Sequence, residues 1–469
     1  MSAWTSAAGT RPAAGNAADA QAGRPSRAGT LFIAVLLVVV LEGALRKWVS
    51  SSLTLPLVLL RDLLALYTVW YALRTGALNF RRLSAQVLLM WTGILMLWGL
   101  VQLIINQFSP AILVIGLRFW LLYFWFGYAA AVSMTLEDYR RSLWVMLALL
   151  IAMTPLVVLQ QSSPPGAFIN TQIDTDVRDI FVVVAGVVRP TGTFSFTLGF
   201  TTFLAMAVPA LFCYRQVARR AGPARRMFVV GFVALLIGSI LSGSRSAVLF
   251  YLGLLGLALL GSLWFSRGVG KVYATMGVIL TVSLMAGAAM LFSDALVATQ
   301  ERFENASQAE DVGARVVAML AGEPETHSQI TWLGAGLGKG SNLASYFESG
   351  ERSFMLAETE SARILLEGGV IGVMYMLLKL AIIVIGLVAA WRVAVRIRSS
   401  APLLVWLTLA LALLTWSTIG QLTVNAATGL LFGQALLALR FLPLAQPARN
   451  RRRPAVAPAA TGWSLERAT

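Results

Sequence analysis

The sequence predicts an all-α fold: a polytopic membrane bundle of about twelve transmembrane helices, with a long, partly helical extracytoplasmic loop between helices 9 and 10. Three observations carry this. Of 469 residues, 58% are hydrophobic and only 12% charged, against roughly 25% charged in a soluble domain. Apolar runs long enough to cross a bilayer recur from Thr30 to Leu442. Loops rich and poor in Lys and Arg alternate along the chain, which is the mark of a fixed orientation in a membrane. Backbone in hydrocarbon must satisfy its own hydrogen bonds, so the runs read as helices. They also lack the alternating polarity of a closed β-barrel.

Taken in order, residues 1–28 are rich in Ala, Gly and Ser, carry Arg11, Arg24 and Arg27, and hold no apolar stretch. They are expected to be a disordered cytoplasmic tail rather than a signal peptide. The membrane domain spans residues 29–446. Thr30–Leu45 and Leu53–Leu73 form its first pair of segments, followed by Arg74, Arg81 and Arg82. Ala85–Ile105 and Ala111–Ser133 lead to Arg140 and Arg141. Ser142–Gln160 opens into the loop 161–191, and Thr193–Tyr214 returns to Arg215, Arg219, Arg220, Arg225 and Arg226. Met227–Leu241 and Ala247–Phe265 make a tight hairpin that ends at Arg267 and Lys271. Val272–Phe292 rises into the loop 294–360, and Ser361–Trp391 returns to Arg392, Arg396 and Arg398. Pro402–Ile419 and Thr423–Phe441 complete the set, and the tail 447–469 carries Arg451, Arg452 and Arg453.

Every second loop holds the cations, so both termini are expected in the cytoplasm and both long loops outside. The formal charge of +16 sits mostly in those short loops, which argues for membrane lipid and against a nucleic-acid partner. Cys213 is the single cysteine and lies in an apolar run, so it reads as a small buried side chain.

Charges inside apolar segments are costly and mark function unless they snorkel to an interface. Glu42, Arg46, Lys47, Arg61 and Asp62 lie toward the outer ends of the first two segments, where they either lock the two helices by pairing or serve a site. Arg118 is deeper and has no acid near it in sequence; it either finds Glu42 or Asp62 across helices or faces a polar cavity, and the cavity is the expectation. Arg189, in Arg189-Pro190-Thr191-Gly192-Thr193-Phe194, and Arg245, in the turn Ser242-Gly243-Ser244-Arg245-Ser246, stand at outer helix mouths against the positive-inside trend. An arginine fork suits phosphate or diphosphate, and a helix N-terminus strengthens such a site. Helix capping or snorkelling is the plainer alternative for either arginine alone.

The loop 294–360 is too long for a simple connection and is expected to carry short helices and lie over the core as a lid. Glu301-Arg302-Phe303 and Gly313-Ala314-Arg315 read as helical pieces. Trp332-Leu333-Gly334-Ala335-Gly336-Leu337-Gly338-Lys339-Gly340 is a glycine-rich turn without phosphate-loop spacing. It reads either as a flexible loop that approaches a substrate or as a hairpin. His327 is the sole histidine, so no metal site is expected. Glu358-Thr359-Glu360 stands before the tenth segment. Its carboxylates serve either as helix caps or as bases facing a sugar hydroxyl.

The motifs around Arg189 and Ser242–Ala247, the glycine turn, and Glu358-Thr359-Glu360 through Leu366-Glu367-Gly368-Gly369-Val370-Ile371-Gly372 together resemble the O-antigen ligase and O-antigen polymerase superfamily, in the same order and over roughly half of the chain. The resemblance implies a metal-independent, cofactor-free glycosyltransferase of the cytoplasmic membrane, active on its outer, periplasmic face. The implied donor is an undecaprenyl-diphosphate-linked saccharide, and the implied partners are a chain-length regulator and a flippase. Arg189, Arg245 and Arg118 would hold the diphosphate, Glu358 and Glu360 would be the catalytic candidates, and Arg363 and Lys339 would be weaker candidates for sugar contacts. Ligases of this family usually carry His in the slot of Glu358 and Asn in that of Thr359, a departure that favours a polymerase and puts the identity of the base in question. The remaining alternatives are a ligase, a lipid-linked oligosaccharide flippase and a non-catalytic scaffold. No matching halves of the kind found in transporters are visible in the sequence.

Overall fold

The computed structural model describes residues 26–171, 183–184, 187–218, 221–291, 312–341, 343–344, 357 and 359–445. The helices are α1 (Arg27–Trp48), α2 (Thr54–Arg74), α3 (Leu83–Asn106), α4 (Pro110–Leu117), α5 (Tyr123–Ser133), α6 (Leu136–Ser162), α7 (Thr197–Val217), α8 (Ala221–Leu241), α9 (Arg245–Phe265), α10 (Val269–Leu291), α11 (Val312–Ala321), α12 (Pro324–His327), α13 (Glu360–Gly368), α14 (Val370–Ile397), α15 (Ala401–Thr415) and α16 (Leu422–Phe441). A π-helical turn, Arg118–Leu122, joins α4 to α5. Among the described residues the only strands are an antiparallel pair, Val183–Val184 with Val187–Val188. Ten elements are long and apolar enough to cross a membrane, with α4 to α5 counted as one. α15 is shorter, and within α10 the qualifying apolar stretch is Ala274–Ser283.

Local chemistry fixes the element ends. Ser26 accepts the Gly29 amide as the cap of α1 and donates through its hydroxyl to Asp138 at 2.6 Å. Asp138 in turn closes a capping box with Thr135 at the start of α6. Arg27 and Ala28, read from sequence as the end of a tail, therefore belong to α1, and Ser26 is its cap. Ser109 caps α4, with Pro110 in the first turn.

Two segments differ from their sequence reading, and both differences shape the site. Ser361–Trp391, expected as one helix, is broken at Gly369, whose φ of +56° is open to glycine and strained for other residues. The break turns α13 back along α14, and a side chain on Gly372 would begin 2.4 Å from the Ile364 carbonyl. Pro402–Ile419, also expected as a helix, ends at Thr415 because Trp416 takes an extended conformation. Residues 416–421 then connect α15 to α16.

The larger apolar core gathers α1, α5 to α9, α15 and α16, and a smaller one packs α3, the π turn and Leu337 against Ile364, Ile371, Tyr375 and Ile419. Outward faces are apolar as well, as on α2 at Leu55, Leu59, Leu63 and Leu66, which suits a surface that meets lipid. Above α13 lies the described part of the long loop. Gly313-Ala314-Arg315 falls within α11, whereas Glu301-Arg302-Phe303 lies outside the described residues. Ser361 donates to the Met319 carbonyl at 2.5 Å, and the Thr359 amide donates to Glu323 at 2.6 Å.

Candidate functional site

Motifs far apart in sequence converge on the connection between α15 and α16. Glu360 accepts the Thr418 hydroxyl and the Ile419 amide, the latter at 3.0 Å on Oε1 and 3.4 Å on Oε2. Arg363 donates to Ser417 Oγ and to the Ala357 carbonyl, each at 3.1 Å. Its guanidinium lies so close to Gly420 that an added Cβ would stand 1.5 Å from Nη1. Phe250, on the helix that Arg245 begins, stacks at a tilt on Trp416, with ring centroids 6.5 Å apart. At the far end of the connection Thr423 donates to Glu42 of α1 at 2.9 Å. Thr359, not Glu360, caps α13, by accepting the Ala362 amide at 3.4 Å.

From Glu42 a buried polar network runs beneath this surface. Arg61 Nη1 reaches both Glu42 oxygens at 2.8 Å, and Arg61 Nε donates to the Tyr123 hydroxyl at 2.8 Å. Tyr123 donates to Asp62 Oδ1 at 2.7 Å, and Arg118 grips the same carboxylate at 2.7 and 3.0 Å. Arg118, expected to face a polar cavity, is instead closed on Asp62, because the π turn brings it against α2. Glu42, Arg61 and Asp62 do lock helices, as one of the two sequence readings had it.

Lys47 departs from that reading. It finds no acid and instead donates to Thr191 Oγ1 at 2.8 Å and to the Gly192 carbonyl at 2.9 Å. It thus belongs to the Arg189 motif, whose turn is fastened further by the Gln160 side chain on the Gly192 amide at 2.8 Å and by Thr193 on the Val40 carbonyl at 2.6 Å. Arg189 is half-buried beside it. Among the described residues Lys47 makes no ion pair and rests on neutral acceptors. Arg46 turns away to Thr54 at 3.0 Å.

The glycine turn wraps the apex of the α13–α14 hairpin. Gly338 and Gly340 donate their amides to the Glu367 carboxylate at 2.9 Å each, and Trp120 Nε1 donates at 3.1 Å. Gln102 ties the Leu333 and Glu367 carbonyls together at 2.7 and 2.8 Å. A Cβ on Gly340 would meet Glu367 Oε1 at 2.7 Å, so the glycine at 340 answers to an internal carboxylate. Burial pushes the Glu367 carboxyl up to about 7, against the pull of these donors.

Of the other predicted residues, Glu358 and the Arg245 side chain lie outside the described residues, though Arg245 does begin α9 directly after the turn at Gly243. Lys339 is half-buried, with its ammonium 5.4 Å from the Phe108 ring. His327 is exposed, and among the described residues no three His, Cys, Asp or Glu side chains gather as a ligand set. Sequence reasoning missed the 416–421 connection, because its run of Trp, Ser, Thr and Ile reads as the end of a helix. It also missed the role of Glu367. No protein-family model and no curated protein matches the chain.

Proposed function

We propose that this chain is a glycosyltransferase of the cytoplasmic membrane that polymerises undecaprenyl-diphosphate-linked repeat units of a surface polysaccharide on the outer face. The observation that carries the reading is the convergence on residues 416–423. The Lys47–Arg189 turn reaches it through α1 and Glu42, the Arg245 helix through Phe250, and Glu360 directly. The Lys47 ammonium, held among the described residues by a hydroxyl and a carbonyl, suits the developing charge of a diphosphate leaving group. Glu360 takes the proton from the acceptor hydroxyl, the oxygen attacks the anomeric carbon, and the carbon–oxygen bond to the diphosphate breaks with its electron pair on the departing phosphate. A bundle of twelve spans with both termini in the cytoplasm belongs to the same reading.

A second reading rests on one observation. The charge-balanced chain Glu42–Arg61–Tyr123–Asp62–Arg118 is the kind of buried network that translocation pathways use, so a lipid-linked oligosaccharide flippase competes. Reconstitution into vesicles with lipid-diphosphate-linked saccharide and no nucleotide separates the two. New glycosidic linkages support the polymerase, and transbilayer movement without linkages supports the flippase. Arg189→Ala and Lys47→Met should each abolish extension in protein that remains inserted, and an enzyme that tolerated both changes would overturn the mechanism.

A further inference from the structure

The exposed tryptophans of the described residues fall into two groups. Trp70, Trp144, Trp264 and Trp391 lie at the helix ends beside the basic loops, each within four residues of Arg74, Arg141, Arg267 or Arg392. Trp332, in the glycine turn, is 70% exposed at the opposite ends. Tryptophan collects where hydrocarbon gives way to headgroups. The Trp332 carbonyl accepts the Val370 amide at 3.0 Å, which pins the residue to the start of α14, and its ring meets Trp98 of α3 edge-on at 6.2 Å. Around it both helices turn apolar side chains outward: Leu97, Leu100 and Ile104 on α3, Val373 and Leu377 on α14. From Val370 to Trp391, α14 runs about 32 Å at roughly 1.5 Å per residue. A hydrocarbon core is about 30 Å thick, so Trp332 and Trp391 stand one core apart.

Measured from the Trp332 end, the connection between α15 and α16 is sunken, and three helices agree on the depth. Ile419 packs in one cluster with Tyr375, which lies about 8 Å along α14 from Val370. Thr423 donates to Glu42, which lies about 9 Å along α1 from Trp48. Asn425 donates to the Phe119 carbonyl at 2.8 Å, and Phe119 stands about 13 Å along its segment from Pro110. α15 tells the same story, because Ala401–Thr415 covers only about 21 Å and cannot cross the core.

We infer that Trp332 seats the glycine turn in a lipid headgroup layer and that the α13–α14 hairpin behind it re-enters the bilayer, so that Glu360 and residues 416–421 lie about 10 Å inside that leaflet. The surface around Trp332 is thus a lipid contact, continuous with the lipid-facing sides of α3 and α14. That this leaflet is the outer one rests on the orientation proposed above; the depth does not. Non-helical backbone survives at such depth only where protein satisfies it. The connection meets that demand: Glu360 takes the Ile419 amide at 3.0 Å, the Trp416 carbonyl takes the Thr418 amide at 2.9 Å, and the Ser417 carbonyl takes the Gln421 amide at 3.3 Å. The Thr415 hydroxyl, on an exposed residue, bonds back to the Leu411 carbonyl at 2.8 Å, as a hydroxyl facing hydrocarbon must.

The test uses the full-length chain with Cys213→Ala, in vesicles of phosphatidylethanolamine and phosphatidylglycerol. Single cysteines replace the exposed residues His327, Trp332, Leu377 and Thr415, and each carries a nitroxide. Its depth is read from collisions with oxygen, which concentrates in hydrocarbon, against those with a water-soluble nickel chelate. The label at 327 should read as aqueous and that at 332 as lying in the headgroup layer. The label at 415 should lie about 10 Å deeper than that at 332, level with 377, which is seven residues along α14 from Val370. If Trp332→Cys fails to accumulate, Val370→Cys marks the same boundary. A label at 332 or 370 as open to the chelate as that at 327, or a label at 415 no deeper than the boundary, would overturn the inference. The depths can be read whether or not the chain forms glycosidic linkages, so this inference and the polymerase reading fail separately.

Discussion

Replacing Glu42 by Leu should be among the most damaging single changes in the bundle, and the structure gives the size. Arg61 is fully buried and directs Nη1 at both Glu42 oxygens. Removing the carboxylate leaves the buried guanidinium with only the Tyr123 hydroxyl and Asp62 at 3.9 Å, at about 3–5 kcal/mol. The Thr423 hydroxyl loses its acceptor at the same moment, for roughly 1 kcal/mol more. A total near 5 kcal/mol is therefore expected. Arg61→Met alone should cost a similar amount, because the carboxylate is then stranded. The double variant Glu42→Leu/Arg61→Met removes both charges and should fall within about 2 kcal/mol of wild type. The assay is a double-mutant cycle by equilibrium unfolding in mixed micelles. Additive losses, or a Glu42→Leu variant within about 1 kcal/mol of wild type, would refute the network as drawn. The double variant also carries functional information, because Thr423 ends the connection that holds Glu360. It should remain folded yet lose extension activity.

Three further predictions concern the turns around the site. The Glu367 carboxyl rises from 4.5 to about 7 on folding, so the native state keeps a proton that the unfolded state gives up. Its stabilising contribution is complete below about pH 4.5 and is lost as pH climbs to about 7. The loss is about 3 kcal/mol, read as falling thermal stability that is flat in Glu367→Gln; a slope that persists in the glutamine variant would contradict the burial. Gly420→Ala places a Cβ against the Arg363 guanidinium and should break the contact to Ser417, cutting extension at least about tenfold with about 1.5–3 kcal/mol of stability lost; unchanged kinetics would free Arg363 from any role. Thr191→Val takes a hydroxyl from Lys47 and should raise the donor KM several-fold, by about 1 kcal/mol of binding, without moving the acceptor KM; equal shifts in both would disconnect the turn from the donor.

The membrane-spanning character was plain in the sequence because span-length apolar runs are a direct physical requirement of the bilayer. Most helix ends fell within a few residues of Ser26, Thr54, Leu83 and Leu422, where caps or polar residues punctuate the runs. The site was legible only as fragments. Arg189 stood out through its position, but its link to Lys47 depends on α1 and the 187–194 segment packing side by side, which no local pattern encodes. Gly369 looked like one glycine of several, and only its positive φ and the carbonyl pressed on Gly372 reveal a hairpin. Arg118 misled for a similar reason. Its partner Asp62 lies on another helix, and the π turn that aims the guanidinium leaves no compositional trace. Trp416 to Gln421 carry ordinary helix-compatible letters, so their role as a platform emerges only once Glu360 and Arg363 are seen resting on them.

The shortness of α15 also bears on the order in which the chain is built. α13 is too short to span and holds Glu360 and Arg363, so it has little reason to enter the bilayer unaided. Its anchors, Ser417 and Thr418, are synthesised 54 and 58 residues after the groups they hold. Both groups therefore gain these partners only once the chain has been extended past Thr418. A chain stopped before Thr415 would lack both partners, leaving Glu360 and Arg363 without the connection they rest on.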